Sequence, residues 1–308
     1  MTGSPGHGVV VGFDGSSCAE EALDWAAAEA VLRGVPLRIA HSWTLSPYGV
    51  PVLEQGDIAQ GITEAAEALL QGAQTRVLKE HPELRVDLDL LTEGAAPGLI
   101  DLGGRADLLV VGSRGLSRFS SILIGSVSQS LVAHAPCPVV VLRGTTGRTG
   151  DRGPESAAEQ SEAAATTGPA PVVLGAAPGE ASAPVGFAFA EAARRGAPLL
   201  VVRAWQYPTN VGGYIAPPPG DMGLRDGEEG GELALVLADA AEEFPGVRVV
   251  QEVGMHEPAW ALVDASTRAC LLVVGAERRR HRFAPPIGRV AQQVLHHAHC
   301  PVAVVPHH

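Results

Sequence analysis

One block of sequence occurs twice in this 308-residue chain, and that duplication limits its fold more than any other feature. RGVPLRIAHSW, beginning at Arg33, recurs as RGAPLLVVRAW at Arg195, and LLVVG at Leu108 recurs at Leu271. APCPVVVL in the first copy likewise matches AHCPVAVV in the second, and the offset stays at 162 or 163 residues. Since a repeated block is one structural unit, the two copies are expected to adopt the same fold.

The two copies occupy residues 1–143 and 171–308, and the segment between them differs in composition. Residues 144–170 are polar, rich in glycine, threonine, alanine and glutamate, and contain no large apolar residue. Such a segment has nothing to bury and is predicted to be a flexible linker. We therefore expect two domains of one fold.

The composition limits which partners the protein is expected to bind and where in the cell it is expected to be. The formal net charge of −12 makes nucleic acid and acidic membranes poor partners. No apolar run approaches the roughly 18–20 residues of a membrane span, and the N-terminal MTGSPGHG lacks the basic and apolar regions of an export signal. The four cysteines show no CxxC spacing and are predicted to be free thiols, so the expected location is cytoplasmic.

Each copy alternates short β-branched strands with helical segments, which predicts a mostly parallel sheet with helices on both faces. In the first copy VVVGF is a buried strand, and Ser17-x-x-Glu20 has the form of a capping box that opens a helix from about Cys18 to Arg33. Gly34 stands where a left-handed glycine ends a helix. The predicted elements that follow are the strand PLRIAHSW, a helix over Thr63–Lys79, the strand RVDLDLL, a short helix from about Pro97, the strand DLLVVG, a helix over Ser126–Ala135 and the strand PVVVL.

Glycines follow the fourth predicted strand at positions that suit a bound anion. In parallel α/β sheets, ligands bind beyond the carboxyl ends of the strands, where the strand order reverses. Gly112 and Gly115 leave room for several backbone N–H groups to converge on a phosphate. Gly125 and Ser126 begin the next helix, whose N-terminal N–H groups form a second anion site. The alternative, that these residues only shape a turn and cap a helix, stays open.

Side chains near these glycines add hydrogen-bond donors. The hydroxyls of Ser113, Ser126 and Ser128 can donate to phosphate oxygens, and Arg114 and Arg118 supply cations within an acidic protein. Each charge-assisted hydrogen bond would contribute about 1.5–3 kcal/mol net, so a handful could hold a triphosphate. The segment matches neither a Walker A loop nor a G-x-G-x-x-G dinucleotide turn.

The spacing Gly112-x2-Gly115-x9-Gly125-Ser126 resembles the ATP-binding signature of the universal stress protein family. VVVGFDGS resembles that family's first strand, with its aspartate at Asp14, and CPVVVL resembles its closing strand. The resemblance covers both repeats and implies two tandem doubly wound α/β domains, each with a five-stranded parallel sheet in the order 3-2-1-4-5. It also implies a stress-response regulator or nucleotide-dependent switch that binds ATP, with or without Mg²⁺.

By matching position, the resemblance assigns site residues to the first repeat. Gly12 and Asp14 should contact adenine and ribose, and Ala40 or His41 should line the base pocket. A carboxylate can accept from the adenine amino group or from ribose hydroxyls, although Asp14 could instead serve only as a turn or helix-cap residue. The ribose and phosphates should meet Val111, Gly112, Ser113, Arg114, Gly115, Gly125, Ser126, Val127 and Ser128.

The second repeat departs from this pattern. Ala177 stands where the first repeat has Asp14, and Arg278 and Arg289 replace Gly115 and Ser126. We expect the second repeat to have lost the nucleotide. Its arginine-rich loop is then either a solvated surface or an extra anion-binding or nucleic-acid patch.

Two other segments receive plainer interpretations. His296 and Cys300 lie four residues apart, but no carboxylate or second cysteine joins them, so no metal site is predicted. Gln206–Gly231 lacks strong periodicity and is predicted to be a loop over the ligand-side rim.

Catalysis has little support in the sequence. There is no Ser-His-Asp arrangement with a nucleophile elbow, and no general base beside the glycines. The resemblance implies binding of an adenine nucleotide, with at most slow hydrolysis. The competing functions are an interaction scaffold that binds no nucleotide and an enzyme that acts on an adenylated substrate.

The closing strands VVVL and VAVV are apolar strands at the ends of their repeats, and exposed edges of that kind pair with another strand. We expect the two repeats to form a pseudo-dimer by antiparallel pairing of these strands, as the resemblance implies, and two chains to associate as a homodimer. Small-angle scattering should then report one compact particle. Two independently tumbling domains would contradict the pairing, and a monomeric sedimentation profile would contradict the homodimer.

Overall fold

The computed structural model divides the chain into two compact units, one built on residues 8–143 and one on residues 168–277 and 288–307. The residues that it describes are 8–43, 55–92, 94–113, 124–143, 168–179, 182–206, 221–277 and 287–307. The greater part of the predicted linker therefore lies outside the described residues, as does the arginine-rich loop of the second repeat.

The first unit alternates strands and helices in the predicted sequence. Its described elements are β1 (Val9–Gly12), α1 (Ser17–Arg33), β2 (Leu37–Ser42), α2 (Gln55–Glu80), β3 (Val86–Leu91), α3 (Ala95–Gly103), β4 (Leu108–Gly112), α4 (Ser126–His134) and β5 (Val139–Leu142). These strands pair in parallel in the order β3-β2-β1-β4-β5, which confirms the predicted order. Because such crossovers are right-handed, α1 and α2 cover one face of the sheet, and α3 and α4 cover the other.

The second unit repeats this arrangement. Its described elements are β6 (Val172–Gly175), α5 (Ser182–Arg195), β7 (Leu199–Trp205), α6 (Asp221–Glu243), β8 (Val249–Met255), α7 (Pro258–Ser266), β9 (Leu271–Glu277), α8 (Arg289–His297) and β10 (Val302–His307). These strands also pair in parallel, in the order β8-β7-β6-β9-β10.

Small side chains allow α1 to pack closely on the sheet of the first unit. The inward face of this helix is mainly alanine, with Leu23 among the fully buried side chains. The central strands beneath it are continuous apolar runs, as expected of strands buried on both faces. At the end of β4, a Cβ atom on Gly112 would lie 2.8 Å from both the carbonyl carbon and the carbonyl oxygen of Cys18. Glycine is therefore required at this position by the backbone of α1.

At the ends of α1, the predicted N-terminal cap is wrong and the predicted C-terminal glycine is confirmed. Ser16, and not Ser17, is the N-cap, and its hydroxyl oxygen accepts from the Ala19 N–H at 3.2 Å. The two serines are adjacent, and the extended backbone of Ser16 (φ −74°, ψ 157°) determines which of them caps. Gly34 ends the helix with φ 66°, in the left-handed region, as predicted.

The prediction of a loop over Gln206–Gly231 is wrong for its second part, because α6 begins at Asp221. Four glycines and two aspartates within residues 221–231 give this segment little intrinsic helix preference. Side chains from β7 hold it instead. The buried Arg203 donates to Glu229 Oε2 at 2.9 and 2.7 Å. Trp205 Nε1–H donates to Asp226 Oδ1 at 2.7 Å. Tertiary contacts of this kind are not visible in the periodicity of a segment.

We predict that Gly112→Ala destabilises the first unit by about 1–3 kcal/mol, because the added methyl group would overlap the backbone of Cys18. Hydrogen exchange of peptides from β4 and α1 in increasing urea measures this unit separately from the second. Gly72→Ala is the matched control, since Gly72 is exposed on α2 and its Cβ position has no neighbour within 4 Å. This control should gain about 0.5–1 kcal/mol. A Gly112→Ala chain as stable as the parent would refute the packing argument.

Candidate functional site

A cleft of about 230 Å³ opens at the carboxyl ends of β1, β2 and β4 in the first unit. It lies at the reversal of strand order, because β1 pairs with β2 on one side and with β4 on the other. Its lining residues are Gly12, Phe13, Asp14, Ala19, Ala40, His41, Ser42, Leu91, Ala95, Leu99, Val111, Gly112, Gly125, Ser126, Val127 and Ser128.

The strand ends give the cleft a closely packed apolar floor. A Cβ atom on Gly12 would lie 2.9 Å from Leu99 Cδ1 and 3.1 Å from Val111 Cγ1, so a larger residue would displace these side chains. Ala40 is opposite Gly12 in the parallel register and is buried. A floor of small and apolar residues suits a flat, weakly polar ring.

Asp14 lies in the turn that follows β1, where it bonds within the turn and also lines the cleft. Its Oδ1 accepts from the Ser16 N–H at 3.0 Å, which makes it a turn residue. Gly15 follows with φ 78°, a conformation that L side chains rarely adopt. Asp14 also lines the cleft, and a carboxylate has about four acceptor positions, of which this bond takes one. Service in the turn is therefore compatible with binding a ligand.

His41 binds the same turn from the end of β2. Its Nδ1 lies 2.7 Å from the carbonyl oxygen of Phe13, and the Phe13 N–H donates to the carbonyl oxygen of Ala40 at 2.8 Å. From the sequence, His41 is predicted only as an alternative to Ala40 for lining the base pocket. The pattern of residues gives no signal for a side-chain bond to a backbone carbonyl 28 positions away.

The opposite wall of the cleft is the N-terminus of α4. Gly125 is its N-cap (φ −73°, ψ 157°) without a side-chain hydrogen bond, and the Gly125 N–H donates to the carbonyl oxygen of Ser113 at 2.6 Å. The N–H groups of the first helical turn have no carbonyl partner within the helix, and the helix dipole makes this end positive. Ser126 and Val127 bring that turn to the cleft. The arrangement can bind an anion.

Two serines differ from their predicted roles. Ser128 is buried and its hydroxyl donates to the carbonyl oxygen of Gly112 at 2.8 Å, so its single proton fastens α4 to β4 and is not directed at a ligand. Ser113 is fully buried, its Oγ has no hydrogen-bond partner within the described part of the chain, and it is not among the residues that line the cleft. Of the predicted hydroxyl donors, Ser126 lines the cleft, and its bond to a phosphate stays a prediction.

Gly112 lines the cleft, and the structure shows a packing constraint at this position. An added Cβ atom would overlap the backbone of Cys18, while the role of Gly112 in binding a phosphate stays a prediction. The predicted residues Arg114 and Gly115, and the nearby Arg118, lie outside the described residues.

The second unit retains the framework of this site with different chemistry. Its strands β6 and β9 carry Gly175 and Gly275, and Gly288 is the N-cap of α8. Ala177 offers no carboxylate where the first unit has Asp14. Arg203 occupies the position of His41, and its side chain is bound to α6.

The described residues contain no group of three or more His, Cys, Asp or Glu side chains that could hold a metal ion. No helix in the described part of the chain has both the length and the apolar character needed to cross a membrane.

Comparisons with known proteins agree with this architecture. The model of the universal stress protein family matches residues 7–143 and 155–306. The chain is 33% identical over 310 residues to a universal stress protein of Mycolicibacterium smegmatis, covering 97% of each chain. It is 33% identical over 313 residues to one of Mycobacterium tuberculosis, covering 97% of this chain and 96% of the relative.

A solved structure shows the same fold at low identity. The universal stress protein of Archaeoglobus fulgidus superposes with a TM-score of 0.67 at 14% identity, covering 98% of this chain and 99% of that one. With the family model matched twice and relatives aligned over nearly their whole length, the chain belongs to the universal stress protein family.

Proposed function

We propose that the first unit binds ATP in this cleft and that the protein acts as a nucleotide-dependent regulator of a stress response. The observation that carries the proposal is the cleft itself, in which an apolar floor, the carboxylate of Asp14 and the N-terminus of α4 surround one space. A nucleoside triphosphate needs these three features in sequence, for its base, its ribose and its phosphates.

The base and ribose would occupy the side of the cleft formed by β1 and β2. Gly12, Ala40 and Val111 line this side of the cleft with small and apolar groups, on which a flat ring would lie. Asp14 accepts from the adenine amino group or from the ribose hydroxyls, because an ionised carboxylate only accepts hydrogen bonds. The turn that holds Asp14 fixes it before the ligand arrives.

The phosphates would lie at the N-terminus of α4. Its backbone N–H groups and the Ser126 hydroxyl are donors there, and the positive end of the helix dipole favours an anion. Arg114, Gly115 and the backbone of Gly112 and Ser113 complete the phosphate site in this proposal. A Mg²⁺ ion that accompanies the nucleotide would be held by its phosphates and would neutralise part of their charge.

The second unit is proposed to bind no ATP. Ala177 supplies no carboxylate, and by alignment of the repeats Arg278 stands where the first unit has Gly115, so an arginine replaces the glycine of the proposed phosphate site. Arg289 adds a bulky side chain at the start of α8, where the first unit has Ser126. The proposed role of this unit is association, with the first unit and with a second chain, in the cytoplasm.

An interaction scaffold without nucleotide and an enzyme acting on an adenylated substrate are the competing functions. Chromatography of ligand released by acid from the purified protein separates the first of these from ATP binding. Time-resolved product analysis with ATP separates the second.

Changing the first unit towards the second should abolish ATP binding. We predict about one ATP per parent chain by titration calorimetry. Gly115→Arg should reduce affinity at least about 100-fold by occupying the phosphate site, and Asp14→Asn about tenfold, because Asn keeps the turn and loses the charge. Arg289→Ser, at the matching helix of the second unit, is the control and should change nothing. Two sites per chain, or parental affinity in the Gly115→Arg chain, would contradict the proposal.

Arg114 and Arg118 should contribute to binding the phosphates of ATP and not its base. We predict that Arg114→Ala and Arg118→Ala each weaken ATP about tenfold while adenosine changes less than about twofold, since adenosine carries no charge for a guanidinium to meet. Equal losses for the two ligands would place these side chains away from the phosphates.

A further inference from the structure

Two hydrogen bonds hold Phe13, the residue before Asp14, one at its N–H and one at its carbonyl oxygen. The Phe13 N–H donates to the carbonyl oxygen of Ala40 at 2.8 Å, and this bond extends the pairing of β1 with β2 by one residue. Phe13 C=O lies 2.7 Å from Nδ1 of the half-buried His41. Since a carbonyl oxygen can only accept, Nδ1 carries the proton in this bond.

The orientation of this carbonyl determines where Asp14 lies. The carbonyl belongs to the peptide plane that joins Phe13 to Asp14, so its rotation changes the backbone angles on either side. Those angles direct the Cα–Cβ bond of Asp14. A hydrogen bond that fixes this peptide plane therefore fixes the direction in which the Asp14 side chain leaves the backbone. The carboxylate at the end of that side chain lines the cleft.

The second unit shows that the fold does not need the bond from His41. There the backbone bond is retained, because Ala176 N–H donates to Val202 C=O at 3.0 Å. Arg203, at the position of His41, is directed to Glu229 of α6. The side-chain bond is absent together with the carboxylate, since Ala177 replaces Asp14.

We propose that His41 is a positioning residue of the nucleotide site, which acts by holding the Phe13–Asp14 peptide so that the Asp14 carboxylate is oriented before base and ribose bind. The inference rests on the proposed function. Orienting a side chain before binding improves affinity because less conformational freedom is lost on binding. The effect belongs to the base end of the ligand, so ATP and adenosine should respond equally.

Calorimetry of the full chain with ATP and with adenosine tests the role. His41→Leu should weaken both ligands by about tenfold, and His41→Asn by less than about threefold, because an Asn amide can donate from nearly the position of Nδ1. His134→Leu is the matched control, since His134 Nδ1 also meets a backbone carbonyl, that of Ser130, but at the other end of α4. This control should leave both affinities unchanged.

Combining the His41 and Asp14 substitutions distinguishes a positioning role of His41 from direct contact with the ligand and from general destabilisation. In an Asp14→Asn background, His41→Leu should change adenosine affinity by less than about twofold, because the carboxylate that it orients is absent. An undiminished tenfold loss in that background would overturn the inference, as would a loss for ATP alone. Parental affinity in the His41→Leu chain would overturn it too, while leaving the proposed function intact.

The hydrogen bond can also be observed without nucleotide. ¹⁵N spectra of the imidazole in the free protein should show His41 protonated at Nδ1, and His41→Asn should leave the backbone shifts of the turn near their parental values. A neutral ring protonated at Nε2 would overturn the inference whatever the protein binds. A parent chain that binds neither ATP nor adenosine would instead refute the proposed function, and the inference with it.

Discussion

The site depends on β1 pairing with a different neighbour on each side. Val9 is in register with Leu37 of β2 and with Leu108 of β4, and the pairing continues to the strand ends. The connection that follows β1 runs over one face of the sheet and the one that follows β4 runs over the other, and such a divergence leaves a crevice between the strand ends. Gly12, Ala40 and Val111 consequently end at one level and form the floor of the cleft.

This constraint explains why small residues and backbone contacts dominate the site. Helix α1 packs so closely on β4 that Gly112 has no room for a methyl group beside Cys18. Helix α4 is fastened to the same strand by the hydroxyl of Ser128 and by the Gly125 N–H, which bonds to Ser113. The helix that would face an anion is thus fixed by the strand that carries the floor.

A comparison of the two units separates the residues that both copies of the fold retain from those of the proposed ligand site that differ between them. Both units retain the parallel order and a glycine N-cap at the last helix, Gly125 in one and Gly288 in the other. They differ in the turn after the first strand, where Ala177 replaces Asp14, and at the end of the second strand, where Arg203 replaces His41 and bonds to Glu229 instead. Residues that vary between two copies of one fold are free of its packing demands, and these two lie in the cleft.

Periodicity and repetition predicted most strands and helices and a parallel sheet, because buried β-branched runs and glycine helix ends leave clear patterns in sequence. The order of the strands came from the resemblance to the universal stress protein family. Contacts between distant side chains leave no such pattern. The helix that begins at Asp221 depends on Arg203 and Trp205 of β7, and the bond from His41 to Phe13 depends on the register of two strands.

Local sequence was also ambiguous where two residues could serve one purpose. Ser16 and Ser17 are both capable caps, and the backbone angles select Ser16. Gly112 was assigned to phosphate binding from its spacing, while its packing against Cys18 could be recognised only from the structure. Most of the described residues predicted for the site line one cleft, whereas the packing and hydrogen bonds of Gly112 and Ser128 could be seen only in the structure.

A crystal structure of the full chain with a non-hydrolysable ATP analogue would show directly where the nucleotide binds. We expect one nucleotide per chain, in the first unit, with the base and ribose beside Asp14 and Ala40 and the phosphates at the N-terminus of α4. A nucleotide bound in the second unit, or one whose phosphates lie away from Gly125 and Ser126, would contradict this expectation.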